Sequence, residues 1–228
     1  MQRIKFLMVV CLLGIASTVS AQFVNTSSGS SSSMNSSSNA TAWSGLRISY
    51  HPVSIEDLDL KGASIGYVKS FGISNVTPIF IETGANISWI GGKVGYEPED
   101  YEEIKLNMFS INIPVNLGYK FTLGENTNIF PFIGITLRGN VVGNYSCDGN
   151  TTNAFGDDAK LYFFDDYGYY DDSYYIDMQL KRFQIGWQIG VGANFNKFFI
   201  GASYGKDFSE ILEGGKVAMP SLTIGFNM

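Results

Sequence analysis

The chain is poorly stocked with reactive side chains. His51 is the only histidine, and beyond Cys11 the only cysteine is Cys147. Structural zinc takes four Cys or His ligands, so one of each cannot form such a site. A hydrolytic system would have to join His51 to a serine such as Ser203 or Ser221 and to a carboxylate. Nothing in the spacing selects that set. His51 reads instead as a loop residue at a strand end, and no catalytic residue is assigned. Gly190 and Gly192 make a GxG, but it lies within an alternating stretch and not at a strand-to-helix turn, so it does not signal a dinucleotide. No cofactor and no metal are expected.

The residues from Phe155 to Asp177 form the most unusual stretch, FGDDAKLYFFDDYGYYDDSYYID. Asp165, Asp166, Asp171 and Asp172 offer hard oxygen ligands of the kind calcium takes, and Tyr169 and Tyr170 are the amphipathic rings that favour binding surfaces. The plainer reading is a solvated outer loop whose rings pack on one another. Three isolated charges, Arg47, Glu82 and Arg138, form the other grouping, and their meaning depends on the elements that carry them.

Those elements are strands. From Phe183 to Phe195 every second residue is apolar, and Gln184, Gly186, Gln188, Gly190, Gly192 and Asn194 lie between. Successive side chains of a strand point to opposite faces, so this is a strand with one greasy face and one small, polar face. The alternation recurs in eight segments: Gly45–Tyr50, Gly62–Ser70, Pro78–Ile90, Ile104–Phe121, Ile129–Tyr145, Lys181–Phe195, Phe198–Asp207 and Ser221–Met228. Ile111, Ile113, Val115, Trp187, Ile189 and Ile224 fall on the outer face. Arg47, Glu82 and Arg138 fall on the inner one. Glu82 is the only carboxylate set well inside, so it is expected to pair with at least one arginine. Pro114 removes a ladder hydrogen bond and calls for a bulge.

The ends carry further signals. Residues 1–21 read as a secretory signal peptide, with Arg3 and Lys5, an apolar run and Val19-Ser20-Ala21 before the cleavage point. Residues 22–42 read as a Ser/Asn-rich disordered leader, and 43–228 as one barrel domain. Without Arg3 and Lys5 the 15 basic residues become 13, against 21 acidic ones, a net charge of about −8. Such an acidic chain is a poor partner for nucleic acid. No later segment is apolar enough to cross a membrane as a helix.

Connection lengths alternate. Phe71–Thr77, Thr122–Asn128 and Asn196-Lys197 are short; His51–Lys61, Gly91–Glu103, Ser146–Gln179 and Phe208–Met219 are long. This is the habit of outer-membrane barrels, with short periplasmic turns and long outside loops. The expected fold is therefore all-β: an eight-stranded antiparallel up-and-down transmembrane barrel in the outer membrane. Trp89, Tyr119, Phe195, Tyr204 and Phe226 are expected in aromatic girdles. A soluble lipocalin-like carrier would need charge on its polar face, where this chain has mostly Gly, Ser, Asn and Gln.

Two stretches carry a family pattern. Ser110–Phe121, with Ile113-Pro114, Leu117, Tyr119 and Phe121, resembles the "IP-x-x-L-x-Y-x-F" strand of PorT-like, porin-family outer-membrane barrels. A short turn and Phe130-Pro131-Phe132 follow, as in that family. Phe183–Ala193 resembles its late "F-x-x-G-x-x-x-G-x-G" strand. The family's usual final residue is aromatic, whereas here Phe226 is followed by Asn227 and Met228. The resemblance implies a barrel with a structural, surface-binding or secretion-supporting role and no catalysis. Beside it stand a narrow pore and a lipid-modifying enzyme. The expected partners are outer-membrane lipid and a surface or periplasmic protein, with the barrel a monomer.

Overall fold

The computed structural model describes residues 42–55, 58–73, 77–93, 104–124, 126–147, 150–155, 160–162, 175–177, 179–211 and 215–228. The expected signal peptide, nearly all of the leader, and Asp165, Asp166, Tyr169, Tyr170, Asp171 and Asp172 lie outside the described residues.

Eight long strands make the fold: β1 (Ser44–Ile55), β2 (Leu58–Gly72), β3 (Ile79–Lys93), β4 (Lys105–Tyr119), β5 (Thr127–Cys147), β6 (Phe183–Phe195), β7 (Phe198–Asp207) and β8 (Val217–Asn227). Each pairs antiparallel with the next, and β8 returns to β1, with Leu46 opposite Phe226 and Ile48 opposite Ile224. The sheet is thus a closed up-and-down barrel with no free edge. Among the described residues there is no helix. Between β5 and β6, Asn150–Asn153 folds back onto β5, and Lys160–Tyr162 pairs with Tyr175–Asp177.

The outer face is apolar in the middle of every strand. Ile48, Ile65, Ile87, Ile133, Ile189 and Ile224 are all more than half exposed. Val115 is exposed, while Ile111, Ile113 and Trp187 are partly covered by neighbours. A continuous band of this kind is untenable in water and is what hydrocarbon solvates. Tyr119, Phe195 and Phe226 stand at the turn ends of β4, β6 and β8. Trp89 and Tyr204 stand a few residues below the loop ends of β3 and β7, because those strands run on past them.

Three details differ from the sequence-based expectation. First, Pro114 sits without a bulge. The β3–β4 register is the same on both sides of it, from Thr83 opposite Val115 to Asn86 opposite Asn112. The Thr83 hydroxyl donates to Pro114 O at 2.9 Å. The bulge lies instead between Phe109 and Ser110, opposite Val142 and Asn140, which leaves Val141 as the extra residue of β5. Val141 and Val142 both face out, and alternation resumes in the opposite phase.

Second, β1 and β2 run well past Tyr50 and Gly62. They pair to Ile55 opposite Leu58, so the expected loop His51–Lys61 is mostly strand. Third, the two faces exchange character in this extension. Val53, Ile55 and Leu60 are buried inside, while Pro52 and Lys61 are exposed outside. Above the lipid, the barrel wall is packed like that of a water-soluble protein.

The tightest turn joins Phe195 to Phe198 through Asn196, whose φ is 56°. Asn enters this left-handed region at little cost because its short side chain bonds locally.

Candidate functional site in the barrel lumen

The inner positions build three layers. At the turn end, β3, β5 and β7 send in Phe80, Phe130 and Phe199, and Trp43 enters just before β1. Trp43 lies 4.5 Å from Phe80 and 5.1 Å from Phe130, and Phe80 and Phe130 meet edge to face at 5.3 Å. These separations are in the favourable range for aromatic pairs. Phe199 stacks on Phe130 at 6.0 Å. Small residues opposite make room. A Cβ on Gly118 would collide with the Phe80 ring, and one on Gly192 would come within 2.5 Å of Phe130. These rings form an aromatic floor.

The middle layer is polar. Glu82 accepts from Trp43 Nε1 at 3.3 Å and from Asn116 Nδ2 at 3.4 Å. Gln188 donates in turn to Asn116 Oδ1. Arg47 donates to Asn227 Oδ1 at 2.8 Å and to Leu46 O at 3.1 Å, with its guanidinium 4.0 Å over the Phe199 ring. Arg138 donates to Asp207 Oδ2 at 2.8 Å and to Asn112 Oδ1 at 3.2 Å. Asn112 donates to both Asn86 and Ser88. On the loop side, Ser110, Asn140 and Gln184 form a linked chain.

The third layer, at the loop end, is an apolar ceiling. Ile90, Leu106, Met108, Tyr145, Phe155 and Val217 belong to one buried cluster there. Between floor and ceiling is a cavity of about 150 Å³, lined by Arg47, His51, Glu82, Asn112, Asn116 and Arg138 among others. It has room and polar partners for several waters.

Arg47, Glu82 and Arg138 all reach the interior, at 7%, 8% and 2% exposure. All three line one cavity, and Arg47 and Glu82 act on each other electrostatically, but the expected direct pair does not form. Glu82 makes no ion pair with either arginine; its oxygens are held by neutral donors. The carboxylate that meets Arg138 is Asp207, at the loop end of β7. Its inward parity, shared with Ser203 and Gly205, was the signal that identifies it. The floor phenylalanines were missed for a similar reason: they follow the inner parity but are not small or polar.

His51 is not a loop residue. It lies within β1 and faces the lumen, with Nδ1 2.7 Å from Ser221 Oγ and Nε2 2.9 Å from Ser64 Oγ. A Ser–His pair therefore exists, but the second ring nitrogen meets a hydroxyl where an orienting carboxylate would be needed. Ser203 lies opposite Ser221 on the neighbouring strand. Among the described residues no group of His, Cys, Asp and Glu is placed to hold a metal.

The chain matches the family described as outer membrane protein beta-barrel domain over residues 15–211. It belongs to that family. As a member it is an outer-membrane β-barrel protein, resident in the outer membrane with lipid against its apolar face. No curated relative matches the chain. Among solved structures it is similar to Ail, the attachment invasion locus protein of Yersinia pestis, in complex with the heparin analogue sucrose octasulfate. That likeness has 12% identity over 82% of this chain and 99% of that one, with a TM-score of 0.43. Neisserial surface protein A shows 12% identity over 82% of this chain and 97% of that one, at 0.41. The N-terminal β-barrel domain of Pseudomonas aeruginosa OprF shows 17% identity over 82% and 99%, at 0.28. Family membership, and not these distant likenesses, carries the assignment.

Proposed function

We propose that this outer-membrane barrel neither conducts nor catalyses, and that it serves as a rigid stem presenting its loops to a surface or secretion partner. The observation that supports this most is the stacking of the lumen. An aromatic floor and an apolar ceiling bracket a polar layer whose charges are bonded internally. An eight-stranded barrel is in any case only wide enough for side chains to fill. The His51 hydrogen bonds to two hydroxyls support the absence of a hydrolytic triad. The surface we assign to a protein partner is the acidic, tyrosine-bearing segment with Asp165, Asp166, Tyr169, Tyr170, Asp171 and Asp172. The motifs at Ser110–Phe121 and Phe183–Ala193 favour a PorT-like member within the family. We also assign residues 1–21 as a cleaved signal, 22–42 as a leader and 43–228 as a monomeric barrel.

Planar bilayers test the closed lumen. The reconstituted full barrel is expected to give no steady single-channel openings, and a reproducible ohmic conductance would overturn the proposal. Co-purification from native envelopes, with and without residues 163–174, tests the loop assignment. Loss of a specific partner on deletion is expected. N-terminal sequencing of exported protein should begin at Gln22.

A further inference from the structure

Trp43 differs from the other rings of the floor. Phe80 is opposite Gly72 and Gly118, and Phe199 is opposite Asn194 and Gly225, so both stand on strands paired on either side. Phe130 is opposite Gly192. Backbone motion that withdraws one of these rings has to break the wall. Trp43 precedes β1, whose pairing with β2 begins at Ser44 opposite Lys69 and with β8 at Gly45 opposite Asn227. It is half-buried, whereas Phe80 and Phe130 are fully buried. Its polar ties run to two residues. Ser70 N donates to Trp43 O at 2.8 Å, Trp43 N donates to Ser70 Oγ at 2.8 Å, and Ser70 Oγ donates to Trp43 O at 3.2 Å. The indole Nε1 donates to Glu82 Oε2 at 3.3 Å, with the ring packed against Phe80 and Phe130.

We propose that Trp43 is a detachable plug. Its indole is a ligand held in cis by an aromatic pocket closed by Glu82, and it swings out of the floor while all eight strands stay paired. A residue outside the ladder opens at far lower free energy than a closed sheet. Glu82 gives this opening its consequence. The carboxylate that holds the indole also lines the polar cavity, together with Arg47, whose guanidinium covers Phe199. When the indole leaves, the aromatic barrier gives way to a gap that leads to these two charges. The cavity becomes a recess open to the turn side, while the apolar ceiling stays shut. Water and small polar solutes then exchange between cavity and periplasm without conduction. Only the shut ceiling rests on the proposed function, so a steady current would sink the ceiling without touching the plug.

The test has two readouts on the full chain in lipid nanodiscs. The first is hydrogen exchange followed by NMR. The Trp43 indole N–H and the Ser70 amide are expected to exchange together, more than about tenfold faster than the amides of Gly45 and Val68, which pair two positions further along the same ladder. The second is labelling of a cavity cysteine, Thr223→Cys in a C11S/C147S background, by a small charged thiol reagent. Trp43→Gly should speed labelling more than about tenfold. Trp43→Phe keeps a ring but loses the bond to Glu82, and its rate should fall between. Millimolar free indole should slow the Trp43→Gly barrel toward the wild-type rate and leave the wild type unchanged, because its pocket is already filled. Heat-modifiable gel migration verifies that each variant is folded. Indole exchange as slow as that of the ladder amides, labelling of Trp43→Gly at the wild-type rate, or no effect of indole on that variant would each overturn the proposal.

Discussion

The Arg138–Asp207 pair gives the sharpest test of how the lumen is held. The guanidinium is 2% exposed, and its partner carboxylate lies at 2.8 Å. Among the described residues, Asp207→Ala removes the only negative charge in contact with it. The remaining acceptors are Asn112 Oδ1 at 3.2 Å and the thioether of Met219 at 3.6 Å, both neutral. Stranding one member of a buried ion pair costs about 3–5 kcal/mol. Asp207→Asn keeps an oxygen near Nη1 and should fall below that range. Replacing both members with apolar residues, as in R138M/D207L, removes the stranded charge and should recover most of the loss. Glu82→Gln is the contrast. Its direct partners Trp43 and Asn116 are neutral donors and Arg47 acts on it without contact, so the change should cost about 1–2 kcal/mol, below the stranded-charge range. The assay is urea-induced unfolding of the barrel in lipid vesicles, followed by tryptophan fluorescence. If Asp207→Ala costs less than Glu82→Gln, or R138M/D207L is no more stable than Asp207→Ala, Arg138 is not the charge that Asp207 holds in place.

Three further outcomes follow from the layers. Gly118→Ala pushes a methyl into the Phe80 ring and should destabilise by about 1–3 kcal/mol, with Phe80→Leu in the same chain relieving part of it; urea midpoints decide this. Ile224→Arg places a charge on the lipid face in the middle of β8 and should cost about 2–4 kcal/mol in vesicles. Thr223→Arg, on the inner face next to it, lacks that lipid penalty and fails, if at all, by crowding. Removing the floor with W43A/F80A/F130A should admit ions on the turn side while the ceiling still blocks passage. Bilayer recordings should then remain silent, and steady current from this variant would show that the ceiling is not a barrier.

The sequence is most legible where one physical rule acts alone. Within the lipid band the outer side chains must be apolar, the inner ones can be small or polar, and a period of two separates them cleanly. The sets around Ile48, Ile87, Ile111, Ile189 and Ile224 are therefore placed by pattern only. The pattern misleads where the solvent changes. Beyond Tyr50 the outer positions become Pro52 and Ser54, while the inner ones become Val53 and Ile55, so the apolar residues shift by one without any bulge. Read as a single rule, that shift resembles the end of a strand. Read as two rules joined at a water boundary, it marks the depth at which the strand leaves the lipid. The extension of β1 and β2, and with it the ceiling, is encoded there.

The charged residues were harder to place because parity fixes a face but not a height. Arg47, Glu82 and Arg138 share the inner face, yet barrel tilt and strand stagger set which of them meet. Glu82 falls near the floor, within reach of Trp43, and Arg138 falls near the loop end, within reach of Asp207. Pairing depends on register around the closed sheet, which is a property of all eight strands together. His51 shows the same limit. Its neighbours Ser64 and Ser221 come from β2 and β8, 13 and 170 positions away in sequence, and only closure of the barrel brings them to one ring. The polar layer of the lumen shares this origin. It is a set of inner positions from all eight strands that come together only when β8 closes on β1, and the water boundary sets the depth at which its polar layer gives way to the ceiling.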